Sequence, residues 1–289
     1  MNQTIYPIGI QNFEKIRKDG YLYVDKTALV YQLANTGSYY FLSRPRRFGK
    51  SLLLSTLEAY FQGKKELFEG LAIANLEKEW MEYPILHLDL NAEKYSDAGA
   101  LESILRRFLN LWEDRWGKDD RETTPSDRFT GEKTGRRVVV LVDEYDKPLL
   151  QALENAELQE AYRAILKAFY GVLKTMDGYI RLAFLTGVTK FGKVSVFSDL
   201  NNLDDISMRE PYAAICGITE AELLTYFDGD IHKLASSLEL TYDETRSLLK
   251  KRYDGYHFVA NVPGIYNPFS LLNTFKYMRP EDYWFETGT

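Results

Sequence analysis

The sequence predicts an α/β protein in which a mainly parallel sheet is flanked by helices and a small helical or winged-helix-like unit follows at the C-terminal end. Residues 39–61 read as strand, loop and helix in immediate succession. Apolar runs at 85–90, 138–142 and 179–185 alternate with stretches of helical periodicity, the order expected of parallel strands joined by right-handed crossovers. Within them, Val138-Val139-Val140-Leu141-Val142 has no polar position, as befits a strand covered on both faces. A chain of 289 residues, 45% hydrophobic and 27% charged, is an ordinary globular composition with room for one large domain and an appendage. The change of character after Pro211 divides it into 1–211 and 212–289.

Taken in order, Lys18-Asp19-Gly20 marks a turn, Tyr21-Leu22-Tyr23-Val24 alternates as a strand, and a helix is expected over 27–34. Tyr39-Tyr40-Phe41-Leu42 is a buried strand, and the spacing of Leu53, Leu54, Leu57, Tyr60 and Phe61 starts a helix at Lys50. The strand at 85–90 leads into a helix carrying Leu101, Ile104, Leu105, Phe108, Leu111, Trp112 and Trp116 on one face. Residues 117–135 are polar and aperiodic, a surface connection. The strand at 138–142 delivers Asp143-Glu144-Tyr145-Asp146-Lys147-Pro148; a long amphipathic helix from Leu158 to Met176 follows, and the strand at 179–185 ends in Thr186-Gly187. Beyond Pro211, Thr219-x-x-Glu222 and Thr241-x-x-Glu244 are capping boxes, predicting short helices that end near Phe227 and Tyr253. Tyr256-His257-Phe258-Val259 and Ile265-Tyr266 flank a Pro-Gly turn as a small hairpin, and a last helix starts at Pro268.

Several classes of function are excluded early. A net charge of −6 confines any nucleic-acid contact to a local patch. The single cysteine, Cys216, forms no internal disulfide, and His87, His232 and His257 lack the spacing of a zinc site. No basic-then-apolar leader and no run of about 18 apolar residues is present, so a cytoplasmic protein without a membrane partner is expected.

The loop between the first strand and its helix half-matches G-x-x-x-x-G-K-[ST], in which backbone N–H groups cradle phosphates, the lysine reaches the β/γ-phosphates and the hydroxyl ligates Mg²⁺. Gly49, Lys50 and Ser51 fit; Arg44 stands where the first glycine belongs. Arg44, Arg46, Arg47 and Lys50 crowd a helix N-terminus, which already attracts anions; a solvated basic turn or a nucleic-acid patch is the alternative. Asp143-Glu144 at the tip of the third strand supplies a second half-site. Asp143 would share Mg²⁺ with Ser51, and Glu144 would orient and deprotonate a water for attack on the γ-phosphate. Thr186, Thr189 and Lys190 are candidate γ-phosphate sensors at the end of the fourth strand.

Five segments together carry a resemblance: Arg-Pro-Arg-Arg-Phe-Gly-Lys-Ser at 44–51, Leu-Val-Asp-Glu-Tyr-Asp-Lys-Pro-Leu at 141–149, the aromatic pattern at 6–10 with 23–27, the block 185–203, and the block 253–273. The chain resembles the bacterial AAA-ATPase-like family, whose members carry a P-loop ATPase domain often followed by a PD-(D/E)XK-type nuclease domain. The resemblance implies a P-loop NTPase of the additional-strand class that binds and hydrolyses ATP with Mg²⁺. It makes Lys50 and Ser51 the Walker A pair, Asp143 and Glu144 the Walker B pair, and 186–190 a sensor segment. It adds backbone contacts to phosphate from Gly49 to Leu52, and contacts from Arg46, Arg47 and Phe48. No Asp or Glu is followed two positions later by Lys, so no nuclease module is expected within this chain, which ends about where such members enter it. A nuclease module or DNA, reached through a partner, remains the expected partner class; nothing in the residues points to an oligomeric state. Two rivals stand beside the ATPase reading: a nucleotide-gated switch with negligible turnover, and a DNA-associated module using the arginine loop.

Overall fold

Val139 and Leu141 join one buried cluster while Val140 and Val142 join another, because successive side chains of a strand face opposite sides of a sheet. Helices must therefore cover both faces. The computed structural model, which describes residues 4–91, 94–117, 136–189, 196, 202–260 and 262–283, has this three-layer arrangement. On the first face, α1 (Phe13–Lys18), α2 (Thr27–Thr36) and α3 (Lys50–Phe61) bring Phe13, Val30, Leu33, Leu54 and Leu57 against Leu42, Val139, Leu141 and Phe184. A short α4 (Ile73–Leu76) closes that side. On the second face, α5 (Ala98–Trp116) and α7 (Ala156–Thr175), with the brief α6 (Lys147–Gln151) before it, pack Leu105, Leu109, Tyr162 and Leu166 over Phe41, Leu88, Val140 and Leu185.

Among the described residues the sheet has five strands: β1 (Tyr39–Ser43), β2 (Ile85–Asp89), β3 (Val138–Asp143), β4 (Ile180–Gly187) and β5 (Asp204–Asp205). Their order is β2-β3-β4-β1-β5 and every pairing is parallel. β4 thus lies between the strand that enters the Gly-Lys-Ser loop and the strand that delivers Asp143, and the three end level at their C-terminal edge. β5, two residues long, has no counterpart in the sequence reading; it is too short to show an apolar period and pairs only at Tyr40 and Phe41.

A third cluster is built by α8 (Glu220–Leu238), α9 (Tyr242–Tyr253) and α10 (Pro268–Tyr277), with Phe227 and Phe275 stacked at 5.3 Å. Both capping boxes form: the Thr219 and Thr241 side chains accept from the Glu222 and Glu244 amides, and each glutamate answers the threonine N–H. Tyr6, Ile8, Leu22 and Val24 from the N-terminal segment pack against this cluster.

Four local expectations are corrected. Residues 21–24 form no strand: Leu22 N–H bonds to Ile5 O at 2.9 Å, and the alternation splits Tyr23 from Leu22 and Val24 between two cores. α8 does not stop near Phe227; the stripe continues through Ile231 and Leu234, and the helix ends at Glu239 in the left-handed region, φ 54°. The hairpin shrinks to a single Tyr256–Ile265 bridge, since Tyr266 pairs with Ile218 instead. The helix predicted over 27–34 runs two residues further, to Thr36. The connection at 117–135 lies almost wholly outside the described residues. Among the described residues no helix is long and apolar enough to cross a membrane.

One ion pair ties α3 to the sheet: His87 Nδ1 on β2 lies 2.8 Å from Glu58 Oε2. Burial works against charge on both groups, yet the hydrogen bond and the partner's charge win, raising the His87 pKa and lowering that of Glu58. The raised histidine contributes stability that is complete below its unfolded pKa and lost as pH rises through the folded value; the lowered glutamate contributes stability that is complete above its unfolded pKa and lost as pH falls through the folded value. His87→Gln should therefore lower the melting temperature most between about pH 4.3 and 6.5, the ordinary values of the two groups, with the gap from wild type closing at alkaline pH. A gap independent of pH in thermal melts would exclude the ion pair as its source.

Candidate active site

From Ser43 the chain must reverse into α3 within a few residues, and it does so through left-handed backbone at Arg47, φ 66°, and Gly49, φ 92°. A Cβ at Gly49 would meet nothing within 4 Å, so the glycine serves the dihedral rather than a close approach. Arg44 is not among the positive-φ residues; its position has no need of glycine, which is why an arginine is tolerated there. Its N–H donates to Gly187 O at 3.2 Å, pinning the root of the loop to β4. No side chain caps α3, so the leading N–H groups of the helix are left for another acceptor, the arrangement that suits an anion.

The acids arrive from β3. Asp143 is buried; Ser51 Oγ donates to its Oδ2 and Thr186 Oγ1 to its Oδ1, the latter at 2.7 Å. Glu144, next along, takes φ 55°, an uncommon conformation for a side chain of that size. Tyr145 N–H, bonded to Thr186 O at 2.9 Å, holds the turn. The Glu144 Oε1 sits 3.0 Å from Lys50 Nζ, and the same ammonium donates to Arg44 O at 3.0 Å and Pro45 O at 3.3 Å. Burial raises the Glu144 pKa above the usual carboxylate range; Lys50 pulls it back, while Asp143 and Asp146 push it further up.

Lys50, Ser51, Asp143, Glu144 and Thr186 are therefore one contiguous cluster. The other predicted residues lie around it. Arg46 is exposed, Arg47 places its guanidinium 4.0 Å over the Phe269 ring, and Phe48 is buried with its ring 4.6 Å from that of Tyr256. Leu52 lines an apolar slot beside the loop together with Val24, Phe48, Ile215, Cys216 and Leu272. Thr189 is held by Asp146, whose Oδ2 accepts its N–H at 2.8 Å and its hydroxyl at 2.7 Å. Lys190 falls outside the described residues. Asp146, only 1% exposed and also accepting from Val188 N–H, was not singled out from sequence; its signal was the third acid of Asp143-Glu144-Tyr145-Asp146. Arg209 pairs with Asp204 at 2.6 Å on the β5 edge.

A family model described as "Predicted AAA-ATPase" matches residues 7–197. An uncharacterized protein in the vnfD 5'region of Azotobacter chroococcum mcd 1 is 41% identical over 297 residues, covering 100% of this chain and 55% of that protein. The chain thus spans about half the length of that relative. No solved structure matches it.

The Thr186 hydroxyl is a fully buried donor to a buried carboxylate. Thr186→Val keeps the shape and removes the donor, so Asp143 is left short of one hydrogen bond, a cost of about 1–3 kcal/mol. Urea denaturation of the variant should show that loss, and a change below about 0.5 kcal/mol would contradict the role assigned to the bond.

Proposed function

The chain belongs to the predicted AAA-ATPase family, and from that premise we propose that it binds ATP with Mg²⁺ and hydrolyses the β–γ bond. The observation that carries the reading is the meeting of two segments 92 residues apart, Ser51 Oγ on Asp143 Oδ2, beside the 3.0 Å pair of Lys50 with Glu144. The uncapped N–H groups at the start of α3 would bind phosphate oxygens, and Lys50 would exchange Glu144 for the β/γ-phosphates. Ser51 and Asp143 offer hard oxygen donors at one point, the set that suits magnesium, which when bound would offset negative charge on the phosphates. Freed from Lys50, Glu144 would orient a water and take its proton as the water oxygen bonds to the γ-phosphorus and the bond to the β–γ bridging oxygen breaks, leaving ADP and phosphate. The apolar slot beside Gly49 suits a nucleobase.

The rival in which the arginine loop contacts DNA is less well supported, because Arg44 is buried and Arg47 is stacked on Phe269. A nucleotide-gated switch uses the same pocket without turnover and is separated by experiment. Glu144→Gln should keep ATP binding while lowering phosphate release by about 10²–10⁴-fold, whereas Lys50→Ala should weaken binding itself. Wild-type protein that binds ATP yet releases no phosphate would favour the switch.

The pH profile adds a test. Glu144 must be ionised to accept a proton, and its raised pKa means protonation sets in above the ordinary glutamate value of about 4.3. The acid limb of kcat/KM, which reports the free enzyme, should therefore fall off at a higher pH than an unperturbed carboxylate gives. A limb at or below that value would remove Glu144 from the role of base.

A further inference from the structure

Arg44 is the largest fully buried polar side chain of the described residues, 1% exposed, and among them it has no ion pair. A buried charge without a counter-charge is costly unless its donors are met. Here carbonyls meet the two terminal nitrogens: Nη1 donates to Ser207 O at 2.6 Å and Ser43 O at 3.0 Å, and Nη2 reaches Tyr212 O at 3.4 Å and Ala213 O at 3.5 Å, while Nε has no hydrogen-bond partner among the described residues. The guanidinium carbon lies 3.9 Å over the Phe258 ring, an attractive geometry that strengthens when desolvated. These partners come from three separate places: the end of β1, the segment 206–213 and the segment after α9. Meanwhile the backbone carbonyl of the same residue accepts from Lys50 Nζ at 3.0 Å.

The rest of the loop is clasped from the same side. Phe48 O accepts from Gly217 N–H at 3.1 Å, and its ring packs edge-on against Tyr256 at 4.6 Å and Phe258 at 5.5 Å. The fit leaves no slack, since a Cβ on Gly217 would lie 2.2 Å from Ile265 Cγ2. We propose that Arg44 is a positioning residue for phosphate binding: by tying the root of the loop to the 206–213 carbonyls and to Phe258, it holds the loop and the Lys50 ammonium in their binding shape from the C-terminal side. Restoring the consensus glycine at this position therefore impairs the site. The inference rests on the reading of the loop as a phosphate site.

The test is equilibrium titration of the folded full chain with MgATP, with melting temperatures measured in parallel, for wild type, Arg44→Gly, Arg44→Lys and Phe258→Leu. Arg44→Gly should weaken ATP binding by on the order of tenfold or more, the loss expected from charged hydrogen bonds. Arg44→Lys should recover only part of it, because an ammonium cannot span several carbonyls at once. Phe258→Leu, which removes the ring under the Arg44 guanidinium and beside Phe48 but no predicted nucleotide ligand itself, should raise KM severalfold while kcat at saturating ATP changes little. Wild-type affinity in Arg44→Gly, whatever its melting temperature, overturns the proposal, and if that variant does not fold, an unchanged KM in Phe258→Leu overturns it. Should wild type bind no ATP, the phosphate-site reading falls with it; should wild type and Arg44→Gly bind equally, only the role of Arg44 falls.

Discussion

The insertion of β4 between β1 and β3 is the constraint on which this end of the molecule depends. Parallel register pairs Leu42 with Thr186, Ser43 with Gly187 and Val142 with Leu185, so the residue after each strand emerges at the same level. From that alone Asp143 faces Thr186, and the loop that follows Ser43 can return Ser51 to the Asp143 carboxylate. Were β1 and β3 direct neighbours, at about 4.8 Å spacing, there would be no strand width between them for a loop and an acid pair to face one another across. The tip of β4 itself contributes a hydroxyl and two backbone groups to the gap: Thr186 Oγ1 and O, and Gly187 O.

Into this gap the chain gathers buried charge, and each group is compensated differently. Asp143 is satisfied by two hydroxyls, Asp146 by the backbone and hydroxyl of the β4 exit, Lys50 by two carbonyls and Glu144, and Arg44 by carbonyls and a ring. Only one of these is a salt bridge, and it is the one whose carboxylate sits on left-handed backbone with a raised pKa. Groups satisfied by fixed backbone have little reason to move. The Lys50–Glu144 pair, by contrast, couples two side chains that each have a more demanding use in the proposed reaction, and backbone strain of the Glu144 kind is commonest at working sites.

Much of this was legible in the sequence because the signals are local. A short, β-branched apolar run without a polar break reads as a covered strand, and Gly-Lys-Ser ahead of a leucine stripe fixes where α3 starts. The acids at 143 and 144 were legible because they end such a run. What the sequence concealed were pairings decided at long range. Tyr21 to Val24 alternate like a strand but line two cores, β5 is two residues that gain meaning only beside Tyr40 and Phe41, and Asp228-Gly229-Asp230 looks like a helix stop until Ile231 and Leu234 are seen to be buried. The basic loop was misleading in the same way. Arg44 reads as a surface cation among cations, and only tertiary structure reveals that it points inward to carbonyls.

The C-terminal helices are joined to the site by more than the loop. Lys26 Nζ lies 2.6 Å from both Glu222 oxygens, Asp25 N–H donates to Tyr226 OH at 3.2 Å, and the slot beside Gly49 is walled by the N-terminal segment, the loop and residues 215–218 together. Glu222 is also the acid of the capping box that starts α8, so the end of that helix and the wall of the slot share one carboxylate. On the proposed reading, a ligand filling the slot would press on Phe48, whose ring packs against Tyr256 and Phe258. Were nucleotide bound there, coupling of this kind would be reciprocal: whatever holds the segment after α9 in place would change nucleotide affinity by the same factor that nucleotide changes its own.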